Sequence, residues 1–258
     1  MQPAPPSRRA LVGFSGFVGQ HLLSQTDFTD LYRSTNIASI ASGGAEFELL
    51  VVCGLPAAKW LANKDPESDW RIVQELAALL SRCSAKQVII ISTIDVYAQP
   101  GGCTEDDDPD GQPNHAYGKH RLWFEKELRR VFPTCLVVRI PALFGQHLKK
   151  NMLYDCLHGR LDMLARCPLE SSFQWYNLER LWADVEHALA RNLTLVNLFP
   201  EPVPTSRLIR ECFPELEVHF AHSKPGRTAR SAANRGLIQQ PEPIASGLPL
   251  RTLPLHAD

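Results

Sequence analysis

The chain has 258 residues, 44% of them apolar and 21% charged, with 27 basic against 28 acidic side chains and a formal net charge of −1. That is enough apolar material for a sizeable core, which excludes global disorder; a balance this even gives no electrostatic reason to expect nucleic acid or an anionic membrane as partner. Seven cysteines are odd in number, scattered, and form no C-x-x-C pair, a pattern that predicts reduced thiols in a cytoplasmic protein and argues against a disulfide framework or a metal site.

No apolar run approaches the roughly 18 residues that a membrane span needs. The opening "MQPAPPSRR" is proline-rich and polar, lacks the apolar stretch of a signal peptide, and reads as a flexible tail over residues 1–7. A short apolar run, Ala10 to Val12, then leads into three glycines and an amphipathic stretch, which predicts strand, tight turn and helix. "DLYRS" is a second short strand, and "FELLVVCGLPAA" a strand buried on both faces. "ESDWRIVQELAALLSRC" spaces its apolar residues as a helix does, and "KQVIIISTIDVY" is another buried strand that ends in hydroxyl residues. Residues 115 to 131 read as a helix and "TCLVVRIPALFG" as a strand.

Strands alternating with helices predict an α/β fold, a Rossmann-type doubly wound parallel sheet. The dinucleotide-binding domain is expected over residues 8–145 with parts of 170–200. The order then loosens into a helix near 151–158, a strand-like "FQWY", a helix over about 177–191, a strand "LTLVNLF", a helix "SRLIRECF" and a strand "LEVHFA". Residues 146–258 are expected to form mostly a small substrate-binding region, ending in a Pro-, Arg- and Gly-rich tail. The acidic "TEDDDPD" reads as a solvated loop.

Gly13, Gly16 and Gly19 stand directly after the first strand. The first allows a turn that a side chain would block, the second lets a pyrophosphate approach, and the third lets helix and strand pack. The helix start adds free N–H groups and a partial positive charge. Dinucleotide binding is therefore expected at Gly13, Phe14, Ser15, Gly16, Phe17, Val18 and Gly19. At the end of the second strand, where an Asp or Glu would hold the ribose of NAD, the chain has Arg33 and Ser34. A guanidinium pairs with a 2′-phosphate, so NADP is favoured over NAD. Cys53, Gly54 and Leu55 close a buried strand where the cofactor should pass, by backbone contact and with no thiol chemistry.

"GFSGFVG", "ISTIDVYAQ" and "AYGKHRLWFEKEL" together resemble the extended branch of the short-chain dehydrogenase/reductase superfamily, the NAD(P)-dependent epimerase/dehydratase group. "LVVRIPALFG" and "FQWYNLERLWADVEHAL" resemble two later segments of that group, and the likeness spans roughly residues 8 to 192. The resemblance implies hydride transfer at a secondary alcohol or ketone of a small-molecule substrate, such as a sugar nucleotide or a smaller polyol or carbonyl compound. It places the proton-transferring phenol on Tyr117 and the hydroxyl that positions the substrate oxygen on Thr93. Pro141 and Leu143 fall on the nicotinamide side. A homodimer is implied as well, with Trp123 and Phe124 as candidates on the Tyr117 helix, though core packing explains both residues equally well.

The family has a lysine four residues after its tyrosine; this chain has Arg121. A fixed cation there should bring the phenol down toward working pH and contact the ribose. Guanidinium keeps the charge but cannot release a proton. Either Arg121 supports a differently tuned reaction, the favoured reading, or the protein is an NADP-binding sensor without turnover. Lys119 points to another helix face. Trp175 and Tyr176 are candidates to stack on a substrate ring, with plain packing as the competing role. His115 and His120 read as surface or packing residues, and Glu105 receives no assignment.

Overall fold

The computed structural model describes residues 7–42, 46–160 and 169–216. The expectations for residues 1–6, for "LEVHFA" past Leu216, for the C-terminal tail and for Cys167 lie outside these. The chain divides into two compact units, residues 1–143 with 177–198, and residues 144–176 with 199–258.

The first unit is built on six parallel strands: β1 (Arg9–Val12), β2 (Asp30–Tyr32), β3 (Glu46–Val52), β4 (Ser84–Thr93), β5 (Cys135–Ile140) and β9 (Leu195–Asn197), in the order β2-β1-β3-β4-β5-β9. The order reverses between β1 and β3, the place where doubly wound sheets open a crevice beyond their strand ends. Register sets the depth of that crevice. Val12 lies level with Val52, and Val52 with Ile90, but β4 and β5 continue to Thr93 and Ile140. Three further residues carry Thr93 about 10 Å beyond the end of β1.

The helices of this unit are α1 (Phe17–Gln25), α2 (Lys59–Lys64), α3 (Pro66–Leu80), α4 (Ala116–Val131) and α6 (Leu181–Ala190). α3 starts cleanly because Asp65 accepts from the Ser68 N–H and Pro66 occupies a first-turn position. It buries Val73, Leu76, Ala77 and Leu80 at helical spacing. The short α2 was absent from the sequence expectations; six residues are too few to show a period. α6 is tied to α1 by Gln25, which accepts from the Trp182 N–H at 2.8 Å and donates to Leu178 O at 2.9 Å. The core between sheet and helices includes Leu50, Val88, Phe47, Phe124 and Leu128. Phe124 is therefore no interface residue: it is 1% exposed, held inside by the strands it covers.

Through this core runs a buried polar network. Arg139 on β5 donates to both oxygens of Glu125 on α4, and its Nη1 donates to the Tyr97 hydroxyl at 2.7 Å. Asn197 on β9 donates to the same hydroxyl at 3.1 Å, and Ser92 on β4 to Glu125. Burial alone would lower the Arg139 pKa, but Glu125 more than offsets it and the net shift is upward. The network locks α4 across three strands.

The second unit contains α5 (Met152–Leu157), β7 (Ser172–Phe173), β10 (Val203–Pro204) and α7 (Thr205–Cys212), with β7 and β10 antiparallel. β6 (Ala142–Phe144) and β8 (Trp175–Asn177) span its junctions with the first unit. Buried Thr205 anchors α7, its N–H donating to Ser171 O at 2.8 Å.

Replacing Glu125 by Leu would leave the Arg139 charge buried without its partner. The variant should lose about 3–5 kcal/mol of stability in urea unfolding; a loss under about 1 kcal/mol would contradict the role given to this pair.

Candidate active site

Because the strands are parallel, the segments after β1, β2, β3, β4 and β5 all lie along one edge of the sheet. At β1 the chain turns at Gly13, whose φ of +95° favours glycine and whose N–H donates to Tyr32 O at 2.7 Å. A Cβ on Gly13 would lie 2.7 Å from Cys53 backbone atoms, and one on Gly19 only 2.2 Å from Gly13 O. Gly16 differs. It is the exposed N-cap of α1 at a φ of −80°, no side chain caps the helix, and an added Cβ would meet only Gly13 O, at 3.3 Å.

Arg33 follows β2 and is exposed, with Ser34 beside it. Thr35 accepts from Arg33 Nε at 3.0 Å, and the guanidinium carbon lies 5.9 Å from the Phe14 ring centroid. After β3, the Cys53 N–H donates to Val12 O and its thiol points to the same carbonyl at 3.2 Å. Burial pushes that thiol up to about 12, so it stays protonated. Gly54 and Leu55 follow, then Pro56. Pro141 separates β5 from β6, and Leu143, like Pro141, is half-buried.

β4 delivers Thr93, and α4 delivers Tyr117 to meet it. The Thr93 hydroxyl lies near enough to the Tyr117 phenol to favour its ionised form. The approach is tight: a Cβ on Gly118 would lie 2.1 Å from Asp95 O. Asn114 Nδ2 donates to Asp95 O at 2.9 Å and to Val96 O at 3.0 Å. The free N–H groups at the start of α4 also find partners. Asn63 Oδ1, from α2, accepts from Tyr117 N–H at 3.0 Å, and His115 Nδ1 accepts from Gly118 N–H at 3.0 Å.

Arg121, one helical turn after Tyr117, is 3% exposed. Its guanidinium carbon stands 3.9 Å from the Tyr117 ring centroid. Nη1 is bonded to Asp69 Oδ2 on α3, and Nη2 donates to Pro56 O at 2.6 Å; Nε has no partner. His120 Nδ1 lies 2.7 Å from the same Asp69 oxygen. The expected ribose contact therefore finds both terminal nitrogens of Arg121 already engaged within the protein. The expectation for the phenol is corrected as well. Burial raises the Tyr117 pKa above its ordinary value; Arg121 and the nearby Thr93 hydroxyl act the other way without reversing it, and Asp95 and Asp69 add to the rise. A cation shared with a buried carboxylate does not outweigh the loss of water.

Sequence reasoning missed Asp69, Asn63, Gly118 and Lys59. The ammonium of Lys59 stands 2.6 Å from Asp95 Oδ1. The signals for these residues are one polar position inside the apolar stripe of α3 and one glycine directly after the tyrosine. Trp175 and Tyr176 belong to the second unit and are buried, at 9% and 4% exposure; the Trp175 indole N–H has no protein partner. His115 and His120 are bonded rather than bare surface groups, and Glu105 Oε1 accepts from the Asn197 N–H at 2.5 Å. Among the described residues no group of three His, Cys, Asp or Glu side chains is placed to hold a metal, and no helix is long and apolar enough to cross a membrane.

Burial raises the Asp69 carboxyl, but its bonds to Arg121 and His120 outweigh that and hold it below the usual carboxylate range. A depressed folded-state pKa gives stability that is present above the unfolded value near 4 and lost as pH falls through the folded one. Asp69→Asn should therefore cost about 3–5 kcal/mol at pH 7 in urea unfolding. The deficit should shrink as pH falls below about 4.

No family model matches the chain, and no curated protein matches it. Solved structures do. The UDP-N-acetylglucosamine 4-epimerase of Bacillus cereus is 14% identical, with a TM-score of 0.59 over 83% of this chain and 85% of that one. RMD of Pseudomonas aeruginosa, solved in complex with NADPH, is 18% identical, with a TM-score of 0.61 over 79% and 82%. The NAD-dependent NDP-hexosamine 5,6-dehydratase TunA is 17% identical, with a TM-score of 0.62 over 79% of each chain. The chain thus shares the α/β fold of these enzymes.

Proposed function

We propose that this protein is an NADP-dependent oxidoreductase of the epimerase/dehydratase type, acting at a secondary alcohol or ketone of a small molecule, a sugar nucleotide or a smaller polyol or carbonyl compound. The observation that carries this reading is a buried phenol beside the Thr93 hydroxyl, on the same sheet edge as an open glycine turn at the head of a helix. Gly13 and Gly19 are required by the protein's own backbone, whereas at Gly16 the φ is ordinary and an added Cβ would meet a single backbone oxygen, tightly, at 3.3 Å. A glycine at an exposed, uncapped helix start suits a pyrophosphate. The residues fit a dinucleotide: the turn from Gly13 to Gly19 would hold its phosphates, Arg33 and Ser34 a 2′-phosphate, and Cys53 to Leu55 its ribose. Pro141 and Leu143 would flank the nicotinamide. Solved proteins of this fold include one in complex with NADPH and one named as NAD-dependent; Arg33 favours the phosphorylated form.

When bound, the nicotinamide supplies or takes the hydride. The protein's share is the proton. Thr93 holds the substrate oxygen beside the phenol. Tyr117 is kept protonated at neutral pH by burial, which suits it to donate its proton as a carbonyl is reduced. Arg121 stacks on the ring, fixes its plane, and ties α4 to α3 and to the Pro56 segment. Trp175 and Tyr176 are proposed as substrate-side residues, the unpartnered indole N–H of Trp175 offering a donor. A cytoplasmic site is supported by the free thiols of Cys53, Cys83, Cys103, Cys135 and Cys212. A homodimer is proposed from the family resemblance; Trp123, the candidate on α4, contacts Trp70 of α3 within the chain and packs against its core.

NADPH should bind, read by its fluorescence, and Arg33→Glu should weaken it by tenfold or more while NADH changes by about twofold at most. Tyr117→Phe should cut carbonyl-dependent oxidation of NADPH, followed by absorbance, by a factor of about 10²–10⁴ with NADPH binding intact. NADPH binding without turnover on any carbonyl would instead favour a sensor, and no binding of either nucleotide would end both readings.

A further inference from the structure

One cation at the Tyr117 site comes from neither the tyrosine's helix nor the spacing that identifies it. Lys59 opens α2, and its ammonium lies 2.6 Å from Asp95 Oδ1. Asp95 sits two residues after Thr93, in the turn that Gly118 presses against, and its N–H donates to Thr93 Oγ1 at 3.1 Å. Asp95 is thus tied by its backbone to the hydroxyl that lies near the phenol. It also lies 3.9 Å from His115 Nε2.

The charged and titratable groups around Tyr117 can be named element by element. Arg121 is on its own helix, Asp69 comes from α3 with His120 bonded to it, Asp95 from the turn after β4, His115 from the residue before α4, and Lys59 from α2. Arg121 is fixed, buried between Asp69 and Pro56 O. His115 supplies no charge at neutral pH: burial and then Lys59 push its pKa below the ordinary value, and its Nδ1 is occupied as the acceptor from Gly118 N–H. Asp95 raises the Tyr117 pKa. Lys59 is the cation that faces Asp95 at bonding distance, and its side chain is 46% exposed, so it can respond to a ligand where Arg121 cannot.

We propose that Lys59 is a positioning residue for proton transfer at Tyr117: paired with Asp95, it cancels the negative charge that would otherwise hold the proton on the phenol. This takes over part of the work of the lysine that Arg121 replaces, from a different helix. The inference rests on Tyr117 as the proton-transfer group, but its test needs no turnover. Tyr117→3-fluorotyrosine places a single fluorine on a phenol more acidic than tyrosine's, so its titration can be followed by ¹⁹F NMR within the folded range.

In that background Lys59→Met should move the titration midpoint up by about half a unit to one unit, as expected for one uncompensated charge across a partly wet gap. Lys59→Arg should leave the midpoint in place. Asp95→Asn combined with Lys59→Met should return it to the starting value or below, because the charge that Lys59 offsets has gone. Circular dichroism of each variant verifies the fold. An unmoved midpoint in a folded Lys59→Met protein, or an upward shift that Asp95→Asn fails to cancel, would overturn the proposal. A cancelled shift in a protein that turns over no carbonyl would uphold it and count against the oxidoreductase reading alone.

Discussion

Helix α4 and the turn after β4 lie so close that a single methyl group does not fit between Gly118 and Asp95 O. Much of the site follows from that contact. It brings Tyr117 onto Thr93, and it fixes the rotation of α4 so that Tyr117, Arg121 and Glu125, spaced four apart, share one buried stripe. Three polar groups on a buried stripe each need a partner. Asp69 from α3 pairs with Arg121 and Arg139 from β5 with Glu125, while Thr93 of β4 stands beside Tyr117. The same rotation therefore places the Tyr117 phenol and secures the joints that hold its helix.

Arginine in place of lysine changes what those joints can do. A guanidinium has more donors to satisfy than an ammonium can present along one direction, and burying it demands acceptors on more than one side. Asp69 and the Pro56 carbonyl meet two of these demands, and Nε remains unpaired. The result is a rigid brace between α3, α4 and the segment after β3. It is a brace more than a proton-handling group, because a buried guanidinium held at both terminal nitrogens is fixed in place and does not give up a proton.

The sequence carried the parts of the fold that repeat. Continuous apolar runs marked β3, β4 and β5 because a strand covered on both faces has no polar side to show. The glycine spacing marked the turn after β1 because backbone crowding there leaves no alternative. Tyr117 and Thr93 were legible through their segments. Asp69 was not, since one carboxylate within an amphipathic helix looks like any surface acid until Arg121 is seen across from it. Lys59 was hidden for a similar reason: α2 is too short to show a period, and its partner Asp95 is distant in the chain. The direction of the Tyr117 pKa was misjudged from sequence because spacing reveals a neighbouring charge but not the water lost around it.

Tyr117 thus sits between two ion pairs of opposite character. Arg121–Asp69 is buried on both sides, whereas Lys59–Asp95 is partly open to solvent. Burial is the largest influence on the resting protonation of the phenol, with Arg121 opposing it and Asp95 and Asp69 adding to it. The buried pair is shielded from salt, and opening it would leave a charge stranded in the core. The exposed pair is held weakly and screened readily. An anionic ligand arriving at this edge of the sheet would compete for Lys59 and leave Arg121 where it is. The site therefore has one fixed charge that sets its geometry and one loose charge through which binding can be felt at the phenol.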